Sequence, residues 1–272
     1  MGTTPGTGAF GAGSVADGYR RLLEPVIFQP WAERLIAYIG VQDGQTVLDV
    51  ASGTGVVARA AARRVGSGGR VIASDISPAM LAHVNEGAEE VGAAIETLEC
   101  SATELTLPDA SVDVVFCQQG LPFIPDRVGA AREMRRVLHR GGQVAVAVWC
   151  AGLHLEPFDT YTHAVEALGI PDPFPHAFDT TARQMASEEI ESCLSEAGFQ
   201  DVSTSIETLP LKWSTRVAAA EGIMGTPFAP TVTALPSDRQ NEFMTSLQEE
   251  MSRGEHDANQ HVMTAVFGRA TA

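Results

Sequence analysis

The chain has 272 residues, 44% of them hydrophobic, which is enough to bury one core with insertions. Its net charge of −16, with 18 cations and Lys212 as the one lysine, disfavours nucleic acid and acidic membrane surfaces, which need clustered cations. No apolar run reaches the roughly 18 residues of a membrane span.

Residues 1–16, Gly/Thr-rich through Ser14, have neither a basic start nor an apolar stretch. They read as a disordered leader, and not as a secretory signal. Residues 17–44 read as an N-terminal helical lid, apolar over Asp17–Ile39 and interrupted by Pro25 and Pro30. Tyr19, Phe28 and Trp31 in it are either core residues or part of a cover over a ligand.

From Gln45 to Trp149 short apolar strands alternate with amphipathic helices. The strands are Thr46–Val50, Arg70–Ser74, Ile95–Cys100, Val112–Cys117 and Gln143–Trp149. The helices are Val56–Val65, Pro78–Val91 and Asp126–Leu138. Ser77-Pro78 is a helix start, and Gly141-Gly142 a turn into the next strand. This alternation predicts an α/β fold with a parallel sheet covered on both faces.

Beyond Trp149 the rhythm breaks. A stretch at about 150–186 carries Pro157, Pro171, Pro173 and Pro175 with His154, His163 and His176. Helix Ser187–Ala197 and strand Asp201–Leu209 follow, and strand His261–Gly268 ends the chain. The last two strands are separated by about 212–258, with helices Thr215–Ile223 and Pro236–Met251. That is far longer than a hairpin loop and predicts a second cap insertion. Residues 45–272 thus read as one core with two helical caps.

The chemistry centres on Val47–Ala58, "VLDVASGTGVVA": a strand, a Gly53-x-Gly55 turn and a helix. Such a turn lets backbone approach a ligand at a helix N-terminus. Asp75, 20 residues past Gly55, ends the second strand where a carboxylate can accept both ribose hydroxyls. A nicotinamide dinucleotide would place a pyrophosphate at this turn, and Asp49 would repel it. S-adenosylmethionine (SAM) presents an ammonium and a sulfonium instead, which Asp49 can balance. The four cysteines have no CxxC spacing, and three of them lie in or beside apolar strands. They read as reduced and cytoplasmic, with no metal site.

The stretches Asp49-Val-Ala-Ser-Gly-Thr-Gly55, Asp75-Ile-Ser-Pro-Ala-Met-Leu81, Leu107-Pro108-Asp109 and Arg135-Arg136-Val-Leu-His-Arg-Gly-Gly142 resemble the ubiquinone/menaquinone-biosynthesis-type branch of class I SAM-dependent methyltransferases. The resemblance covers residues 45–149 and implies a Rossmann-like, seven-stranded sheet whose last strand is antiparallel. It places Asp49, Ser52, Gly53 and Gly55 at the methionine end of SAM and Asp75 at the ribose. Ile76 and Met80 would pack on adenine, with Ser101-Ala102 beside its amino group. Gln118 and Gln119 would face the methyl group and the acceptor. Ala51 stands where the family has glycine, and Ser101 where it has aspartate.

Gln118-Gln119-Gly120-Leu121-Pro122-Phe123 departs from the Asn/Asp-Pro-Pro-aromatic motif of DNA and protein amide methyltransferases. The expected acceptor is therefore a small, apolar or aromatic molecule methylated on O or C. A base for its proton is expected from the cap, from His154, Glu156, His163 or His176. The expected assembly is a monomer or homodimer. A SAM-binding cyclase or rearrangement enzyme, or a silent SAM-binding subunit, are the alternatives.

Overall fold

The structure is a computed structural model that describes residues 13–86, 92–174, 176–251 and 260–272. An eight-stranded sheet runs β3-β2-β1-β4-β5-β8-β7, with the short β6 paired beside β5. Its strands are β1 Thr46–Val50, β2 Arg70–Asp75, β3 Ile95–Glu99, β4 Val112–Gln118, β5 Leu138–Cys150, β6 Gln184–Met185, β7 Gln200–Lys212 and β8 Gln260–Thr271. Strands β1 to β6 pair in parallel, whereas β8 is antiparallel to both β5 and β7. The expected seven strands with an antiparallel last one are all present, and β6 is added to them.

The helices are α1 Gly13–Gly18, α2 Gln29–Ile39, α3 Val56–Val65, α4 Pro78–Leu81, α5 Arg127–Val137, α6 Phe158–Glu166, α7 Ser187–Glu196, α8 Arg216–Glu221, α9 Ala229–Thr233 and α10 Ser237–Glu250. Alternating β1 residues divide the interior. Val47 belongs to one core with α2, α3 and the caps. Leu48 and Val50 belong to the other, with α5 and α7. The near-continuous apolar run of β5 follows, because both of its faces are covered.

The N-terminal segment differs from its expectation. Residues 13–16 are helical, with Val15 and Ala16 buried, so they are not leader; residues 1–12 lie outside the described residues. Pro25 does not interrupt the helix. Tyr19–Phe28 widens into a π-helix, where Gln29 N–H donates to Glu24 C=O five residues back. A π turn accommodates a residue that has no N–H to give. Leu23, Ile27, Phe28, Trp31 and Leu35 are built into the main core, so this piece is structural as well as covering.

Gly141-Gly142 lies inside β5 and not between elements. The register steps from Val112↔Leu138 to Val114↔Gln143, so the glycines form a bulge with Gly141 at φ +80°. The predicted helix Pro78–Val91 is an α-helix only to Leu81, with turns to Glu86. Its far end, residues 87–91, lies outside the described residues.

Register also locates the second cap. Strand β5 pairs with β8 only as far as Trp149↔Ala265, whereas β7 and β8 continue to Lys212↔Gln260. The β7–β8 ribbon therefore projects past the carboxyl edge of β5 and carries α8 to α10 there.

Candidate active site at the carboxyl edge

Three strand ends converge at the carboxyl edge of β1, β2 and β4. Asp49, on β1, is 1% exposed, and its Oδ2 accepts the Ala58 N–H at 3.0 Å. Burial pushes its carboxyl up to about 8, with Asp75 adding to the rise. Such a group favours a cation beside it, because a positive neighbour restores the ionised form. Asp75, at the end of β2, accepts Gly53 N–H (2.8 Å) and Ser77 N–H (2.8 Å) on its two oxygens. Burial also raises its pKa.

The turn between β1 and α3 is shaped by left-handed backbone: Ala51 at φ +53°, Gly53 at +54° and Gly55 at +85°. Gly53 and Gly55 serve different purposes. A Cβ on Gly53 would meet nothing within 4 Å, so this glycine leaves open space for a ligand. A Cβ on Gly55 would lie 3.0 Å from Val84, so that glycine serves packing, where the sequence suggested room for a ligand. Ala51 tolerates its conformation, and its methyl would lie 2.7 Å from a Cβ on Gly120, which requires glycine there. Ser52 Oγ is buried and finds no hydrogen-bond partner among the described residues.

Gln118 and Gln119 end β4. Gln118 Nε2 donates to Phe28 C=O at 3.2 Å, and Gln119 Oε1 accepts Trp149 N–H at 3.0 Å. Each keeps one buried polar atom, Gln118 Oε1 and Gln119 Nε2, without a partner among the described residues. Buried amides normally pair every group, so these two atoms stand out at the end of β4. Gln119 adopts φ +59°, the kind of strained conformation that concentrates at functional sites.

The N-terminal segment covers this edge. Tyr19 stacks on Phe28 (4.7 Å between centroids), and Phe28 leans on Trp149 (6.3 Å). Burial, followed by the charges of Glu24, Asp75 and Asp49, holds the Tyr19 hydroxyl well above its ordinary pKa, so it stays protonated. Ile76 and Met80 occupy opposite situations, 42% and 4% exposed. Ser101 spends its hydroxyl locally, on Thr103 Oγ1 (2.8 Å) and Thr103 N–H (3.2 Å). Ala102 packs partly buried against the second core.

Some expected residues are not brought together. His154 is 96% exposed, with Nδ1 3.5 Å from Asp159 Oδ2. His163 on α6 and His176 in the following loop are exposed as well. The amphipathic α6 turns Tyr161, Thr162 and Val165 inward and His163 outward, so the cap histidines face solvent and do not line a site. Two residues that sequence reasoning passed over are central. Glu24 is 2% exposed and bonds Arg59 (Nη2–Oε1, 2.6 Å) as well as the Thr54 hydroxyl of the turn. The signal was available: an acidic residue on the apolar face of the lid and an arginine on the apolar face of α3.

These residues fit SAM. Asp49 and Tyr19 suit its ammonium end, the open space at Gly53 and the Asp75 carboxyl suit the ribose, and the unpaired glutamine atoms border the sheet edge beyond.

Comparison with known proteins agrees. Residues 48–146 match the methyltransferase domain family. The Escherichia coli ubiquinone/menaquinone biosynthesis C-methyltransferase UbiE is 29% identical over 188 residues, 65% of this chain and 74% of that one. Among solved structures, Haemonchus contortus phosphoethanolamine N-methyltransferase 2 with bound S-adenosyl-L-methionine has TM-score 0.61 and 18% identity, covering 100% of this chain and 60% of that one. The YcgJ protein of Bacillus subtilis has TM-score 0.55 and 17% identity, covering 89% of this chain and 98% of that one. Fold, turn and sequence match together place a methyltransferase domain at residues 48–146, with SAM as its cofactor.

Proposed function

We propose that the acceptor is a small apolar or aromatic molecule, methylated on oxygen or carbon in a pocket enclosed by the N-terminal segment and the two caps. The carrying observation is that these three pieces close into one apolar cluster over the carboxyl edge. Leu23 of the N-terminal segment lies beside the Gly222–Gly225 turn, where a Cβ on Gly225 would fall 2.9 Å from its Cγ. Tyr161 of the first cap donates its hydroxyl to Ala219 C=O of the second. Leu23, Trp149, Tyr161, Trp213, Ile223 and Phe228 form one continuous core. Ligands of open parallel sheets bind at this edge, and no helix among the described residues is long and apolar enough to cross a membrane.

Bound SAM supplies a methyl group on a sulfonium, so the protein's task is alignment of an in-line displacement. Asp49 balances the ammonium end, Asp75 holds the ribose, and Gln118 with Gln119 orients the acceptor beside the methyl. The enclosing aromatic residues exclude water. An O–H or C–H acceptor must also lose a proton. Of the cap groups considered as base, Glu156 is half-buried and held above the usual carboxylate range by burial, with Asp159 adding to the rise. It therefore replaces the exposed histidines in that role. The enzyme acts in the cytoplasm as a monomer or homodimer, without nucleic acid.

Incubation with methyl-labelled SAM and a library of small phenols, quinols and enolisable ketones tests this reading. Label in an apolar product, with S-adenosylhomocysteine (SAH) formed in equal amount, is the expected result. Conversion of substrate without SAH would instead assign a cyclase or rearrangement, and label transferred only to nucleic acid or protein would refute the acceptor class. In Glu156→Gln the rise of kcat with pH should disappear while SAM affinity stays; an unchanged profile rules Glu156 out as base.

A further inference from the structure

A buried ion pair joins the N-terminal segment to the floor of the cofactor site. Glu24 Oε1 lies 2.6 Å from Arg59 Nη2 and 2.6 Å from Arg20 Nη1, while its other oxygen accepts the Thr54 hydroxyl. Arg59 in turn donates through Nη1 to Thr54 C=O (2.6 Å) and Val84 C=O (3.0 Å). One guanidinium thus ties together the methionine-side turn, the segment after α4 on the adenine side, and the covering helix. The cover has two further attachments on that side: Asp17 to His83 Nε2 (3.1 Å) and Arg20 Nη2 to Glu86 C=O (3.2 Å).

The pair is costly to bury. Glu24 and Arg59 are 2% and 5% exposed, and desolvation pulls the Arg59 pKa down against the pull of Glu24. Buried pairs give little net stability over apolar residues of the same shape, yet removing one partner strands a charge. Their strength lies in fixing one geometry. Here that geometry is the turn carrying Gly53 and Gly55, beside which the charges of Glu24, Asp75 and Asp49 all act on Tyr19.

Building on the SAM reading, we propose that Glu24 is a positioning residue for the cofactor: through Thr54 and Arg59 it holds the glycine-rich turn in its binding geometry only while the N-terminal helix is closed, which makes cofactor binding and closure a single event. Opening the helix withdraws Glu24, leaves Arg59 without its counter-charge and releases the Thr54 hydroxyl. The affinity for SAM or SAH therefore contains the energy of closure.

The test measures SAH binding by calorimetry and SAH-dependent amide-exchange protection over Asp17–Phe28. In Glu24→Gln the dissociation constant should rise at least about fivefold and the protection should fall. The double variant Glu24→Met/Arg59→Met keeps an apolar pair in place of the charges. It should keep a thermal midpoint near that of the parent yet remain at least about fivefold weaker for SAH. Thr54→Ser, which keeps the hydroxyl, should bind as the parent does, and Thr54→Val should not. A smaller change in Glu24→Gln, or parent-like affinity in the double variant, would make the pair a structural strut and overturn the proposal. Should the parent itself fail to bind SAH, the cofactor reading falls first and this proposal with it, which separates the two failures.

Discussion

Asp49 gives the sharpest quantitative test, because its burial ties cofactor affinity to pH. Its pKa of about 8 leaves about one part in a hundred ionised at pH 6. If the cofactor's ammonium requires the ionised carboxylate, binding below pH 8 must expel a proton. SAH affinity should then rise about tenfold per pH unit between pH 6 and pH 8 and level off above it. The full change is about 100-fold, or ~2.7 kcal/mol. The neighbouring charges on Asp75 and Arg59 act in opposite directions on Asp49, and the protonated Tyr19 adds none. Calorimetry at each pH, in two buffers of different ionisation enthalpy, reads both affinity and proton release. Asp49→Asn carries only the ligand's own titration, and should bind no better than the parent does at pH 6. The same shift has a consequence for folding. The folded state holds this proton up to about pH 8, whereas the unfolded chain loses it near 3.8, so the Asp49 contribution falls as pH rises between those values. Asp49→Asn should therefore melt above the parent at pH 8 and not at pH 4. A flat affinity profile for the parent, with no proton released, would refute the ammonium–Asp49 pairing.

Asp75→Ala should weaken SAH binding roughly 10- to 150-fold, the loss of charge-assisted hydrogen bonds worth about 1.5–3 kcal/mol; an unchanged dissociation constant in the folded variant removes Asp75 from the ribose. Gln118→Leu should lower turnover more than SAM affinity, as judged by kcat against the SAM dissociation constant, and equal losses would make it a cofactor ligand only. Gly55→Val must place a side chain at φ +85° and against Val84, so a thermal melt should show it destabilised by more than about 2 kcal/mol. A stable Gly55→Val protein that has lost only SAH affinity would restore the ligand-space explanation.

The sheet was legible because its strands are short, apolar and separated by helices of clear period. Thr46–Val50 and Val56–Val65 match their predicted bounds, and Ser77 caps its helix as expected, accepting Met80 N–H at 3.3 Å. What pattern could not reveal was three-dimensional burial. His154, His163 and His176 sit in an aromatic, proline-rich segment, and nothing in their spacing tells that α6 turns its apolar face inward and leaves His163 outside. Glu24 and Arg59 each stand as a charge on an apolar face, but no spacing tells that these two, 35 residues apart, meet. Pro25 reads as a break because a π turn has no sequence period of its own. The side on which the second cap lies emerged only from the register of β7 on β8, which runs past the end of β5.

A crystal structure of the complex with SAH tests the account most directly. The amino group should lie within hydrogen-bond distance of the Asp49 carboxylate, both ribose hydroxyls on Asp75, and the sulfur should point toward Gln118 and Gln119 beneath the closed N-terminal helix. A ligand bound at the opposite edge of the sheet, or a ribose held without Asp75, would contradict it.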